Sequence, residues 1–164
     1  MPFLHIAVLA LVQGLTEFLP VSSSAHLILV PYLTGWPDQG LVIDVAVHVG
    51  TLGAVMLYFW RDLGGMVLGL MRLTKGRPDP GARLAGFLVL ATLPAVAAGY
   101  LLDRYYPSGI RGLEVIAWTT LGFGILLFLA DKLGMTVRRI EHLRLGDVLI
   151  IGFAQVLALI PGTS

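Results

Sequence analysis

Gln13-Gly14-Leu15-Thr16-Glu17-Phe18-Leu19-Pro20-Val21-Ser22-Ser23-Ser24-Ala25-His26 places a carboxylate, a proline, three consecutive hydroxyls and an imidazole between two short apolar stretches. Those stretches, Phe3 to Leu19 and His26 to Thr34, are shorter than the roughly 20 apolar residues a bilayer-spanning helix needs. In lipid every backbone N–H and C=O must find a partner. An irregular elbow at Pro20–Ser24 therefore survives only inside protein or beside a water-filled cavity. A re-entrant helix hairpin over 3–34 meets that requirement, and one long helix kinked at Pro20 is the plainer alternative.

Composition sets the class. Of the 164 residues, 57% are hydrophobic and only 13% charged, and mean hydropathy is +0.86, where a soluble domain carries about 25% charged residues. Such a chain cannot cover its surface with polar groups, so the expected fold is all-α: a polytopic membrane helical bundle in one transmembrane domain, 1–164. Spans are expected at about 40–60 (interrupted by Asp44 and His48), 84–102 (containing Pro94) and 112–130 (with Glu114 near its start), with a partial apolar segment at 147–164. Leu63 to Leu73 reads as a short interfacial helix, and Arg72 to Arg83 as a loop. The N-terminus lacks a basic n-region and contains Glu17, so it does not read as a cleaved signal peptide. A net charge of +1 gives no reason to expect nucleic acid, and the absence of Cys excludes disulfides and thiolate chemistry. No Walker, zinc or dinucleotide pattern is present.

Cations set the expected orientation. Arg61, Arg72, Lys75, Arg77 and Arg83 cluster in one loop region, and Lys132, Arg138, Arg139 and Arg144 in another, two spans further on. Segment 103–111 holds only Arg104 and Arg111, beside Asp103. The two basic regions fall on one side, cytoplasmic by the positive-inside rule, and the hairpin then opens outward. Trp36, Trp60, Tyr58, Tyr105 and Tyr106 read as interfacial belt residues. Glycines such as Gly64, Gly65 and Gly122 read as sites of close helix packing.

The elbow recurs. Gln155-Val156-Leu157-Ala158-Leu159-Ile160-Pro161-Gly162-Thr163-Ser164 repeats a Gln on an apolar helix, then Pro, then small hydroxyl residues, with the Gln-to-Pro spacing changed by one residue. Apolar segments broken by Pro or Gly at corresponding positions of two halves point to a site at a repeat interface. The expectation is the first part of an inverted-repeat architecture, with the chain cut where its second half should begin.

Gln13 and Glu17, four residues apart, share a helix face. Ionisable groups in membrane segments are costly and mark functional sites, so Glu17 reads as a divalent-cation ligand or a base, against the blander reading of a Glu snorkelling at a helix end. A serine hydroxyl needs a nearby base to act as a nucleophile, and His26, within three residues of Ser23, is the natural candidate. Hydroxyls and amides of an elbow that opens a helix also suit phosphate oxygens, while the bland role is an N-cap by Ser24. Asp44 and His48 lie on one face and read equally as cavity residues or as a packing pair. His5 and His142 read as bland.

Residues 13–26 resemble the first motif of the bacterial undecaprenyl-diphosphate phosphatases, the bacitracin-resistance family: Glu or Gln, three residues, Glu, then Phe-Leu-Pro-Val-Ser-Ser and a His. Ile43 to Trp60 resembles the family too, as does Asp147 to Ser164, whose Pro161-Gly162-Thr163-Ser164 is similar to the start of the second motif, Pro-Gly-x-Ser-Arg-Ser-Gly. The resemblance covers essentially the whole chain, which stops before that motif's Arg, a residue suited to gripping pyrophosphate. It implies hydrolysis of undecaprenyl diphosphate to undecaprenyl phosphate and inorganic phosphate in the bacterial plasma membrane, recycling the carrier lipid for cell-wall synthesis; the outward-facing site is the expectation of the charge count alone. It further implies Ser23 as nucleophile, His26 as base or acid and Glu17 supporting it; attack by water or by His26 itself is the alternative. Gln13, Ser22, Ser24, Thr163 and Ser164 are the implied substrate contacts. Mg2+ or another divalent cation is implied at Glu17 and Gln13. The partners are the polyprenyl diphosphate and the bilayer, and a homodimer is compatible with this reading. The competing readings are an inverted-repeat transporter or lipid flippase, and a non-catalytic remnant.

Overall fold

The structure, a computed structural model, describes residues 2–106, 112–134 and 143–163. The described residues form helices and turns without strands: α1 Phe3–Thr16, α2 Ser23–Thr34, α3 Gly40–Tyr58, α4 Trp60–Leu73, α5 Pro80–Tyr105, α6 Leu113–Leu133 and α7 Leu145–Leu157.

The first two helices have 14 and 12 residues. At 1.5 Å per residue they reach about 21 and 18 Å, short of a bilayer core of about 30 Å. They fold back on one another, and α1 also packs on α3. Leu9, Gln13, Ala25 and Leu27 are buried. The chain is thus a hairpin here and not a kinked rod. Gly35 ends α2 in the left-handed conformation (φ 70°), the common helix stop. Beyond it Trp36 stacks flat on the ring of His5, with centroids 3.8 Å apart. That pair ties the ends of the hairpin together, so Trp36 is more than a belt residue and His5 is not idle.

Helices α3, α5 and α6 are long and apolar enough to cross a membrane. Large apolar side chains such as Val42, Val89, Leu126 and Phe128 stand exposed along them, as a lipid-facing surface requires. The chain is a multi-pass helical membrane protein.

Several boundaries differ from the sequence reading. Only Phe59 separates α3 from α4, so Trp60 begins the amphipathic helix and does not end the span. Residues 80–83, expected in a loop, are the first turn of α5. Asp79 takes an extended conformation and accepts a hydrogen bond from Gly81 N at 2.8 Å, with Pro80 at the first helical position. This is the usual division of labour between a capping carboxylate and a proline whose missing N–H costs nothing there. α5 runs on through Pro94. α7 ends at Leu157, and residues 158–163 form turns.

Two close approaches fix the bundle. α4 meets the start of α5, where a Cβ on Gly81 would stand 2.5 Å from Gly65 O and one on Gly69 2.5 Å from Ala82 N. α7 packs on α5, where a Cβ on Gly152 would stand 2.8 Å from Ala91 O and 3.3 Å from Pro94 Cγ. Gly64 and Gly122 have nothing within 4 Å of such a Cβ, so among the described residues their packing role is not used. The α4–α5 corner is also held by Arg72 Nη1 donating to Asp79 Oδ2 at 2.9 Å. That contact, followed by the Gly81 amide, holds the Asp79 carboxyl below its ordinary range.

Gly152→Ala is expected to destabilise the fold by about 1–3 kcal/mol, because backbone must move. Gly64→Ala is expected to be neutral or to stabilise by up to about 1 kcal/mol through helix propensity. Thermal unfolding in detergent checks both, and equal midpoints would contradict the packing described. For Asp79 the folded carboxyl titrates lower than the unfolded one, so its contribution is complete above the unfolded value of about 4 and is lost as pH falls through the folded value. The gap in unfolding temperature between the unaltered protein and its Asp79→Asn variant should therefore be full at neutral pH and narrow below about pH 4.

Candidate active site

Glu17 caps the C-terminal end of α1, and its Oε2 is a point of convergence. Gln13 Nε2, one turn earlier, donates to it at 2.8 Å. Ser23 Oγ, across the elbow, donates to it at 2.5 Å. His48 Nε2, from α3, stands 3.7 Å away, beyond direct hydrogen-bond reach but within electrostatic range. The i, i+4 spacing of Gln13 and Glu17 produces the first contact, the elbow the second, and the packing of α3 on α1 the third. Glu17 keeps about a third of its side chain exposed (32%), so a ligand can reach it.

The elbow itself is backbone-driven. Val21 N donates to Leu19 O at 2.8 Å and Leu19 N to Thr16 O at 3.2 Å, which partners irregular amides internally. Ser22 precedes α2 at φ 54°, the one non-glycine among the described residues with positive φ, a costly state that persists only where its surroundings impose it. Ser22 and Ser23 are buried. Ser22 Oγ and Ser24 Oγ lie 3.2 Å apart, and no serine side chain caps α2, so the capping role read for Ser24 is not used.

The two histidines are fixed in the same way. His26 Nδ1 lies 2.8 Å from Ser22 O and His48 Nδ1 2.7 Å from Asp44 O. A carbonyl only accepts, so Nδ1 carries the proton in both rings and Nε2 is the working atom. Only His48 is thereby brought to Glu17. His26 is held at the first turn of α2, with Nε2 unbonded among the described residues. Asp44 accepts from Gln39 Nε2 at 2.5 Å and shares the cavity with His48.

That cavity holds about 700 Å3 and joins the two elbows. Glu17, Ser23 and Ser24 line it from the first, and Gln155, Pro161 and Thr163 from the second. The second elbow is pinned to α6. Thr119 Oγ1 donates to Pro161 O at 2.6 Å, and Gly162 (φ 91°) packs so tightly under Thr119 and Thr120 that no side chain fits. Thr163 is buried with Oγ1 unpartnered among the described residues, as is Gln13 Oε1. Ser164 and His142 lie outside the described residues. The sequence reading did not single out Thr51, 3.5 Å from Gln13 Nε2, or Thr119, since both act through helix packing that local spacing does not encode.

Among the described residues no group of three His, Cys, Asp or Glu is placed to hold a metal. Glu17 and the unpartnered Gln13 Oε1 are hard oxygen donors of the kind Mg2+ takes. Of the two, only Glu17 lines the cavity, so any ion there would take most of its ligands from phosphate oxygens and water.

Ser22→Gly should fold with an unfolding temperature near that of the unaltered protein, because glycine adopts positive φ freely. Ser22→Val should lower it clearly, by about 1–3 kcal/mol of backbone strain. Equal melting of the two variants would contradict the strained elbow.

Residues 6–164 match the family described as Bacitracin resistance protein BacA. Among curated proteins, Undecaprenyl-diphosphatase 1 of Rhodospirillum rubrum is 58% identical over 171 residues, covering 100% of this chain and 61% of that protein. Undecaprenyl-diphosphatase of Ruegeria pomeroyi is 56% identical, covering 100% and 62%, and that of Hahella chejuensis 54% identical with the same coverage. The chain thus spans about three fifths of the length of these relatives. With a match running from residue 6 through both elbows, this chain belongs to the BacA family of bacitracin resistance proteins.

Proposed function

We propose that this protein hydrolyses undecaprenyl diphosphate to undecaprenyl phosphate and inorganic phosphate. The observation that carries the reading is the 2.5 Å contact from Ser23 Oγ to Glu17 Oε2 inside a cavity shared by both elbows. The names of the relatives support the same chemistry, and nothing observed favours transport over it.

Ser23 Oγ attacks the terminal phosphorus, forming an Oγ–P bond. The bond from that phosphorus to the bridging oxygen breaks, releasing the lipid monophosphate. Glu17 takes the proton of Ser23 across their existing hydrogen bond, which makes an otherwise weak hydroxyl a nucleophile. Water then cleaves the phosphoserine, yielding inorganic phosphate and regenerating Ser23. His26 Nε2, the ring nitrogen without a proton, accepts the proton of the attacking water, and Glu17 returns its proton to Ser23 Oγ. Gln13 holds Glu17 in place, and the hydroxyls of Ser22, Ser24 and Thr163, with Ser164, contact phosphate oxygens. A divalent cation, held by Glu17 and Gln13, would neutralise phosphate charge when bound. All these residues come from one chain.

The location follows from charge. The basic corner made by Arg61, Arg72, Lys75, Arg77 and Arg83 sits at the end of α3 away from Asp44. Placed in the cytoplasm of a bacterial plasma membrane, it leaves the two elbows opening outward.

In the complete protein reconstituted in vesicles, Ser23→Ala and Glu17→Gln should each lower phosphate release by at least about 10²-fold, and His26→Ala by a similar factor, the usual worth of a proton-transferring group. Full activity in Ser23→Ala would overturn the nucleophile, and lipid movement without phosphate release would overturn the reaction.

A further inference from the structure

A second cavity of about 780 Å3 lies at the α4–α5 corner, remote from the elbows. Arg61, Arg72 and Arg83 line it, with Phe87, Leu84 and Leu143 supplying apolar wall. The three guanidinium groups differ in what they do. Arg72 is neutralised by Asp79 at 2.9 Å and serves to close the corner. Arg61 lies over the Trp60 ring, 5.3 Å from its centroid. Arg83 lies over Phe87 at 5.0 Å and donates to Leu143 O at 2.9 Å. Neither Arg61 nor Arg83 has a carboxylate within ion-pair distance among the described residues. Each keeps donors free and lies over an aromatic ring.

We propose that this corner binds the headgroup phosphate of an anionic phospholipid of the surrounding bilayer. A guanidinium fork matches phosphate oxygens two at a time, and two such forks flank one cavity. The apolar wall continues toward the membrane-crossing part of α5, so an acyl chain has a path that a free anion would not need. α4 is amphipathic and carries Arg61, Asp62 and Arg72 among apolar residues, the composition of a helix lying at a membrane surface. Residues 60–83 hold five cations and two carboxylates. That surplus favours a headgroup of net negative charge and disfavours one carrying its own cation. The corner is built to hold this shape, since Gly69 and Gly81 let α4 and α5 touch backbone to backbone. It shares no residue with the elbow cavity, so the proposal does not rest on the hydrolytic reading.

The test is lipid retention by the complete protein in detergent, read by native mass spectrometry after titration with phosphatidylglycerol or phosphatidylcholine. The unaltered protein should retain phosphatidylglycerol preferentially. Arg61→Gln, which gives up no contact except the Trp60 ring, should weaken retention about fivefold, the worth of one arginine at an anionic surface. Arg61→Lys should recover part of it, and Arg61→Gln with Arg83→Gln should lose more than either single change. Unchanged thermal unfolding of Arg61→Gln separates lost binding from lost folding. Equal retention of the two lipids, or undiminished retention by Arg61→Gln, would overturn the proposal. So would displacement of the lipid by millimolar inorganic phosphate, which would mark a small-anion site.

Discussion

A carboxylate inside a membrane protein is tolerable only when other groups share its charge, and Glu17 Oε2 is where this chain arranges that. Two donors meet the one oxygen, Gln13 Nε2 at 2.8 Å and Ser23 Oγ at 2.5 Å, with His48 Nε2 beside it at 3.7 Å. Those three residues come from α1, α2 and α3. The hairpin must fold back for Ser23 to arrive, and α3 must pack on α1 for His48 to arrive. Because its partners come from three helices, the polar contacts at Glu17, which stays partly exposed to the cavity, and the helix packing support one another. The same contacts point the hydroxyl of Ser23 at a carboxylate oxygen, the arrangement on which the proposed nucleophile rests.

The second elbow is built on the same logic with different parts. Residues 158–163 leave the helix inside an apolar chain, and their backbone groups need partners. Turn hydrogen bonds such as Thr163 N to Ile160 O, and the Thr119 hydroxyl on Pro161 O, supply them. Gly162 makes the approach to α6 sterically feasible. Among the described residues, Thr163 Oγ1, buried beside the cavity, remains unpartnered. A buried hydroxyl without a partner is uncommon, and a phosphate oxygen is a partner of the right kind. The cavity between the elbows is thus lined by one buried hydroxyl that has no partner among the described residues.

Much of this was legible in the order of residues. Apolar length located the three spans, and Pro20 with Ser22–Ser24 located the elbow, because neither feature depends on distant neighbours. The pairing of Gln13 with Glu17 followed from helical spacing. Other features were not legible for a common reason. Nothing local distinguishes His48 as a neighbour of Glu17 from His48 as a packing residue, and only the docking of α3 on α1 decides it. The contact of Thr119 with Pro161 spans 42 positions. The start of α5 at Pro80 was legible in principle, since Asp79-Pro80 is a helix-opening pair, but the density of Pro and Gly around it reads equally as a loop. His26 shows the converse, for its closeness in sequence to Ser23 does not by itself turn its ring toward Glu17.

The proposed hydrolysis passes through a covalently phosphorylated Ser23, and trapping that state decides between it and direct attack by water. The complete protein would be mixed with undecaprenyl diphosphate labelled in its terminal phosphate, quenched within one turnover in parallel with acid and with mild alkali, in which a phosphohistidine survives, then digested and mapped. The account predicts label on the peptide that contains Ser23, retained in acid as a phosphoserine is, and absent in Ser23→Ala. Inorganic phosphate released at full rate with no label on the protein at any time would contradict it, pointing to direct attack by water, as would label found on His26.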